Sequence, residues 1–396
     1  MAVATLKNFI HHESTGGIVL FAAALVAMVV ANSGLSDAYQ EFMHLPLAVQ
    51  IGSYSIDKSL LHWVNDGLMA IFFFFIGLEV KREVLQGELS NASQIVLPAL
   101  AAFGGMVVPV GVYLAVTAGD PVASAGWAVP AATDIAFALG ILSLLGPRVP
   151  LSLKIFLLAL AIFDDIGAIL IIALFFGSDL SIVSLAWASA GLSIMVLFNF
   201  LGVKRTELYL FVGILVWAAV LESGIHATLA GVIMAFTIPL RTDDASGQPL
   251  LPHLEHMLHP WVAFLILPAF AFTNAGVSFE GLHLGMLLTP IPLGVILGLV
   301  VGKVVGVFGM AWLGTLVGLC RIPDDLTWSY IVGVAMLAGI GFTMSLFIGT
   351  LAFEDDQSIN LVRIGVIVGS LIAGTMGYFW LNATLPAQPA APAKVD

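Results

Sequence analysis

Runs of about twenty apolar residues, separated by short polar punctuation, recur along almost the whole chain. At 1.5 Å per residue, a helix of that length matches the roughly 30 Å hydrocarbon core of a bilayer. The runs therefore predict an all-α integral membrane protein. Segmentation on this length gives about twelve transmembrane helices, at 14–32, 60–84, 95–116, 122–143, 151–175, 182–200, 205–219, 223–238, 257–276, 290–311, 327–350 and 358–382. Composition removes the soluble alternative, because 60% of residues are hydrophobic and only 10% are charged, too few to coat a globule. Forty glycines suit helices that pack closely in lipid. One cysteine, Cys320, leaves no disulfide framework and no cysteine-based zinc or iron–sulfur site. A net charge of −12 argues against nucleic acid as a partner. Lys7 precedes a spanning stretch with no small-residue cleavage site behind it, so the first helix is expected to be retained.

The remaining segments are short. Residues 45–58 alternate apolar and polar around Gly52, which predicts a small extramembrane β-hairpin. Residues 1–13 read as a cytoplasmic N-terminus, 14–382 as one polytopic domain, and the Pro/Ala-rich 383–396 as a disordered cytoplasmic tail. With the N-terminus inside, Lys7, Lys81, Arg82, Arg148, Lys154, Lys204, Arg205, Arg241, Arg321 and Lys394 all fall at or near the cytoplasmic face, and Lys58 falls outside. The opposite loops are acidic, through Asp37, Glu41, Asp57, Asp120, Asp179, Glu222, Glu280, Glu354, Asp355 and Asp356. Solvation of loops explains that rim; a preference for cations is the second reading.

Four ionisable residues stand near the middle of spans: Asp134, Asp164, Asp165 and Lys303. Each costs about 2.5–3.5 kcal/mol at the centre of a helix even on the lenient insertion scale. A structural salt bridge accounts for one acid and the single base, but three acids leave a surplus that a mobile cation or proton can neutralise. Asp164 and Asp165 are consecutive, so they point about 100° apart and cannot share one contact line. Burial and mutual repulsion favour the protonated carboxyl, whereas Lys303 and helix N-termini favour the ionised one. A site balanced between the two exchanges metal ion for proton.

Two segments at the same depth interrupt their helices. AVPAATD, Ala128 to Asp134, contains Pro130, and AGIGFTMS, Ala338 to Ser345, contains Gly339 and Gly341. Irregular backbone survives in hydrocarbon only where protein or a water-filled cavity satisfies it, so two broken helices point to a binding site. They occupy the middle of spans three to five, about 95–175, and of spans ten to twelve, about 290–382. Because the third span runs outward and the tenth inward, these triplets are expected to be inverted-topology repeats.

With FFFFIGLEVKRE at Phe72 to Glu83, ATDIAFALG at Ala132 to Gly140, LAIFDDIGAI at Leu160 to Ile169, LHPWVAFLILPAFAFTNAG at Leu258 to Gly276, the pair Gly302 and Lys303, and AGIGFTMSLFI at Ala338 to Ile348, the chain resembles the bacterial sodium/proton antiporter A family over roughly Phe9 to Trp380. The resemblance implies a transporter rather than an enzyme, set in the bacterial inner membrane with both termini cytoplasmic. It implies electrogenic, pH-regulated export of Na+ or Li+ in exchange for H+, without a cofactor. Asp165 would be the principal cation ligand, with Asp164 sharing the transported Na+ and exchanging a salt bridge with Lys303. Asp134 and Thr133 would sit where the broken helices cross. Glu79, Arg82, Glu83, Glu255, His256 and His259 match a pH-sensing cluster, with solvated cytoplasmic residues as the plainer reading, and His226 and Asp66 match positions of less defined role. The hairpin would join a homodimer. Three rivals are weaker: an intramembrane aspartyl protease lacks its Gly–Asp on a span, a sodium-coupled symporter for an organic anion would need Arg363 as its anion group, and a passive channel needs no displaceable protons.

Overall fold

The computed structural model describes residues 2–52, 54–87, 92–177, 180–240, 242, 247–279 and 284–386, apart from the side chains of residues 2–14, 51, 54 and 92–94. Arg241, Asp179, Glu280, Lys394, the side chain of Lys7 and the tail beyond 386 therefore lie outside the described residues. The apolar runs fold as helices because a backbone in lipid must satisfy its N–H and C=O groups within itself. In chain order these are α1 (Ala2–Ala31), α2 (Ser36–Met43), the strands β1 (Pro46–Ile51) and β2 (Tyr54–Ser59), and α3 (Met69–Gln86). There follow α4 (Ala92–Val116), α5 (Ile135–Leu144), α6 (Leu151–Phe175), α7 (Ile182–Phe200), α8 (Thr206–Leu221) and α9 (Ala227–Thr237). The chain ends with α10 (Leu250–Asn274), α11 (Pro290–Leu316), α12 (Trp328–Leu337), α13 (Phe342–Ala352) and α14 (Asp356–Thr384).

Helices stand at every place where the apolar runs predict a span. Among the described residues, six are individually long and apolar enough to cross a membrane, and three further bent pairs pass the same test together. The outward surfaces are greasy: Ile182, Trp187, Phe200, Phe211 and Leu316 are all well exposed. Two features depart from expectation. Residues 36–43, read as loop, form α2, which turns 117° from α1. The span expected at 257–276 begins seven residues earlier, at Leu250, because Leu250, Leu251 and Leu254 bury on one side of an amphipathic turn.

The hairpin pairs Pro46 with Ser59 through Ile51 with Tyr54, antiparallel, and turns through Gly52 at φ 64°. It leads directly into the helix at Leu60, and the Trp63 indole N–H donates to the Leu47 carbonyl at 3.0 Å, fixing hairpin to helix. Three helices carry one wide π turn each, at Trp63–Leu68 before α3, Val262–Ile266 within α10, and Gly298–Gly302 within α11. The last immediately precedes Lys303.

The contact that aims Lys303 is the crossing of α4 with α11. Neither helix has a side chain where they touch: a Cβ on Gly306 would fall on the Gly104 carbonyl oxygen, and a Cβ on Gly104 would fall on the Gly306 carbonyl oxygen. Backbone touches backbone, and Lys303, one turn earlier on α11, is thereby held against α4 beside Gly105. Gly306→Ala is expected to force the two backbones apart, costing about 1–3 kcal/mol and lowering the melting temperature of the detergent-solubilised protein. Gly309→Ala, where a Cβ meets open space, should leave it unchanged. Equal melting of the two variants would contradict the close crossing.

Candidate functional site

The two broken helices are Pro121–Ala131 with α5, bent by 49°, and α12 with α13, bent by 47°. In the first, a 3-10 segment at Ala125–Ala131 contains Pro130, and the chain runs extended through Ala132, Thr133 and Asp134 before α5 begins. In the second, the break falls at Gly339 to Gly341. Neither glycine has positive φ. Gly339 is needed for proximity instead, since a Cβ there would strike the Leu299 carbonyl of α11.

Each break frees backbone groups, which take partners from the other break or a neighbouring helix. Asp134 serves both N-terminal ends. Its Oδ1 accepts from Phe137 N at 3.0 Å in α5, and its Oδ2 accepts from Thr343 N at 3.0 Å and Thr343 Oγ1 at 2.5 Å in α13. Its own N–H donates to the Ile340 carbonyl at 2.7 Å. A carboxylate between two helix N-termini faces two positive dipole ends at once. The C-terminal ends receive donors: Lys303 Nζ to Ala131 O at 2.7 Å, Ser345 Oγ to Val129 O at 2.7 Å, and the Thr133 hydroxyl 2.7 Å from Ala338 O.

Lys303 is fully buried and uses all three of its donors, the other two on Asp164 Oδ2 at 2.5 Å and Thr133 Oγ1 at 3.0 Å. Thr133 has one proton and two acceptors in reach, Ala338 O and Asp164 Oδ2 at 2.6 Å, so it bonds one at a time. The 100° step along α6 separates the neighbouring acids. Asp164 faces Lys303, and Asp165 faces a cavity of about 70 Å³ that Thr133, Asp134, Glu79 and His259 also line. Asp164 Oδ1 and Asp165 Oδ1 are both buried without a hydrogen-bond partner among the described residues. These are the oxygens the site leaves free, and they lie on adjacent residues.

At the far end of the same cavity stands part of the second group named from the sequence. Arg82 bridges Glu83 at 2.6 Å and Glu255 at 2.7 Å, joining α3 to α10, and Glu79, Glu83 and Glu255 are buried beside it. His259 packs its ring edge-on to Phe75 at 5.9 Å. His256 does not join them; its side chain is exposed. Asp66 lies in the π turn before α3, where its carbonyl accepts from the Trp217 indole at 3.2 Å, and His226 precedes α9 with its Nδ1 buried and unpartnered. Arg363, read within the last span as the anion group a symporter would need, sits two turns inside the start of α14, in a cavity beside α2 that Asp134, Asp164 and Asp165 do not line.

Sequence reasoning missed Ser370. From α14 its hydroxyl accepts from both Gly341 N and Phe342 N at 3.2 Å, capping α13 from outside the broken helix. A lone serine in an apolar span gives no signal of that role. Ser370→Ala is expected to orphan two buried N–H groups at a cost of about 1–3 kcal/mol. The protein should insert normally but melt lower, whereas Ser193→Ala, an exposed serine bonded only within its own helix, should not alter melting; unchanged melting of Ser370→Ala would remove the cap.

The family model of Na+/H+ antiporter 1 matches residues 7–381. Among curated relatives, the Na(+)/H(+) antiporter NhaA of Shewanella loihica is 52% identical over 385 residues, covering 97% of this chain and 98% of its own length. Those of Shewanella putrefaciens and Shewanella oneidensis are 54% and 53% identical over the same shares. A match of this extent, together with apolar helices at each expected place, makes the chain an integral multi-pass membrane protein that belongs to the Na+/H+ antiporter 1 family.

Proposed function

We propose that this protein is an electrogenic, pH-regulated antiporter that exports Na+ or Li+ in exchange for H+, by competition of the two ions for Asp165 and Asp164. The observation that carries the reading is the pair of buried carboxylate oxygens, Asp164 Oδ1 and Asp165 Oδ1, that no donor among the described residues engages. A carboxylate oxygen in that condition is stabilised by a proton or by a cation, and either excludes the other.

In this mechanism Asp165 is the principal ligand, reached through the cavity, and the transported Na+ also draws on Asp164 and the Thr133 hydroxyl. When Na+ approaches Asp164, its positive charge competes with the Lys303 ammonium for the same carboxylate, so Lys303 is the residue whose pairing changes with ion occupancy. Asp134 keeps the crossing intact throughout, since both of its oxygens are committed to helix N-termini. Exchange of more than one proton per sodium moves net charge, and each elementary charge gains about 2.3 kcal/mol per 100 mV. Alternating access follows from rocking of the inverted repeats, about 95–175 and 290–382, against the rest of the 14–382 domain. Twelve spans set both termini on the cytoplasmic side of the inner membrane.

The Glu79, Arg82, Glu83 and Glu255 cluster, with His259 and the more exposed His256, reports pH to the site through the cavity that Glu79 and His259 share with Asp165. The hairpin's free edges suit pairing with a second copy, which makes the working unit a homodimer. The test uses inside-out vesicles with an acidic lumen in alkaline medium. Adding Na+ or Li+ should collapse the pH gradient and adding K+ should not. Asp165→Asn should insert to wild-type levels and lose the response at least a hundredfold. Wild-type turnover in that variant, or no collapse by the native protein, contradicts the proposal.

A further inference from the structure

The exchange site does not use Arg363. Its Nη1 donates only to Asn360 Oδ1, one turn away on the same helix, at 3.2 Å, and its Nε is buried with no partner. It makes no ion pair among the described residues. A guanidinium carries five donors and cannot lose its charge, so a half-buried one with an idle N–H is costly to keep. It faces a cavity of about 250 Å³, lined mainly by polar groups, with Tyr39, Gln40 and His44 on one wall, Thr273 on another, and Asn360 and Asp356 on a third.

We propose that this cavity binds a phosphate-type anion, either free phosphate or the headgroup of an anionic lipid. The guanidinium fork matches two oxygens of a tetrahedral phosphate, and Gln40, Asn360 and His44 add donors around it. Asp356, exposed at the rim, is the one carboxylate that lines the cavity and opposes an anion. The walls come from four separate elements: α2, the end of α10, the start of α14 and the helical turn at Leu61 after the hairpin. Tyr39 already ties the first two together, since its hydroxyl donates to the Phe272 carbonyl at 2.6 Å and its ring packs edge-on to Phe272 at 5.4 Å. A bound anion completes the junction by drawing in Arg363 of α14. The lipid source has a structural basis of its own, because Leu35 just before α2 and Phe42 on it are both exposed and apolar.

The experiment titrates the full-length protein, in zwitterionic detergent at constant ionic strength, with inorganic phosphate, with short-chain phosphatidylglycerol and with short-chain phosphatidylcholine, and reads calorimetric binding and melting temperature. Saturable binding of phosphate or phosphatidylglycerol, with a higher melting temperature, is expected; phosphatidylcholine should be inert. Binding of both anionic ligands assigns the site to the shared phosphate, and binding of phosphatidylglycerol alone assigns it to lipid. Arg363→Gln should weaken binding at least tenfold. Asp356→Asn should tighten it severalfold, a gain that misfolding cannot imitate. The proposal is overturned if neither anion binds the native protein, if Arg363→Gln binds as tightly, or if Asp356→Asn brings no gain. It stands or falls separately from sodium exchange.

Discussion

A helix broken inside hydrocarbon exposes N–H and C=O groups that lipid cannot satisfy, and two such breaks facing each other bring like dipole ends together. One carboxylate and one ammonium resolve both problems. Asp134 spans the N-terminal ends of α5 and α13, while Lys303 reaches the C-terminal end at Ala131. Each charge is kept in lipid by the helix ends it serves, and the helix ends are kept open by the charges. The surrounding helices follow from this: α11 must come close enough for Lys303 to enter, which sets the glycine contact with α4, and α14 must offer Ser370 to the remaining free N–H groups.

That arrangement leaves Asp164 and Asp165 as the acids not consumed by architecture. A buried ion pair such as Asp164 with Lys303 is a poor source of stability, since desolvation offsets most of its attraction, but breaking it by removing one partner costs about 3–5 kcal/mol. An interaction of small net value and large cost of removal is suited to a part whose pairing changes during a cycle: another cation can replace the ammonium, whereas nothing can simply be taken away. Lys303 retains Ala131 and Thr133 when Asp164 turns to another ion, so the ammonium is not stranded. The proposed exchange uses this redundancy.

Much of this was legible in the chain. The apolar runs gave the helices, because lipid admits few alternatives, and Pro130 and the Gly339–Gly341 pair gave the breaks. The consecutive Asp164 and Asp165 gave their own division, since a 100° step needs no tertiary information. Other features were illegible for physical reasons. Helix α2 is too short and too mixed in polarity to register against a twenty-residue window. Glycines 339 and 341 were read as helix breakers, yet their φ values are ordinary and Gly339 is there to let the Leu299 carbonyl approach, a contact between elements forty residues apart in sequence. Arg363 was read within the last span, where it lies, but its place at the junction with α2 was illegible because α2 itself gave no signal. Ser370 is a single polar residue whose partners lie in another helix.

In the proposed antiporter, the acidic cluster stands where its charge bears on the ion site. Glu79 lies on α3 at the far end of the cavity that contains Asp165, and Arg82, one turn on, holds Glu83 and Glu255. One guanidinium facing three buried carboxylates leaves this end of the cavity with more acids than bases among the described residues. The Arg82–Glu255 bond ties α3 to α10 across these acids. Both helices form walls of the cavity, through Phe72, Phe75 and Ile76 on one side and Val262 and Leu267 on the other. The α10 wall contains the π turn at Val262–Ile266, between Pro260 and Pro268, where the hydrogen-bond ladder is already irregular and can shift at low cost. In the proposed antiporter, this irregular stretch of α10 is the part that lets charge beside Glu79 bear on the width of the cavity at Asp165.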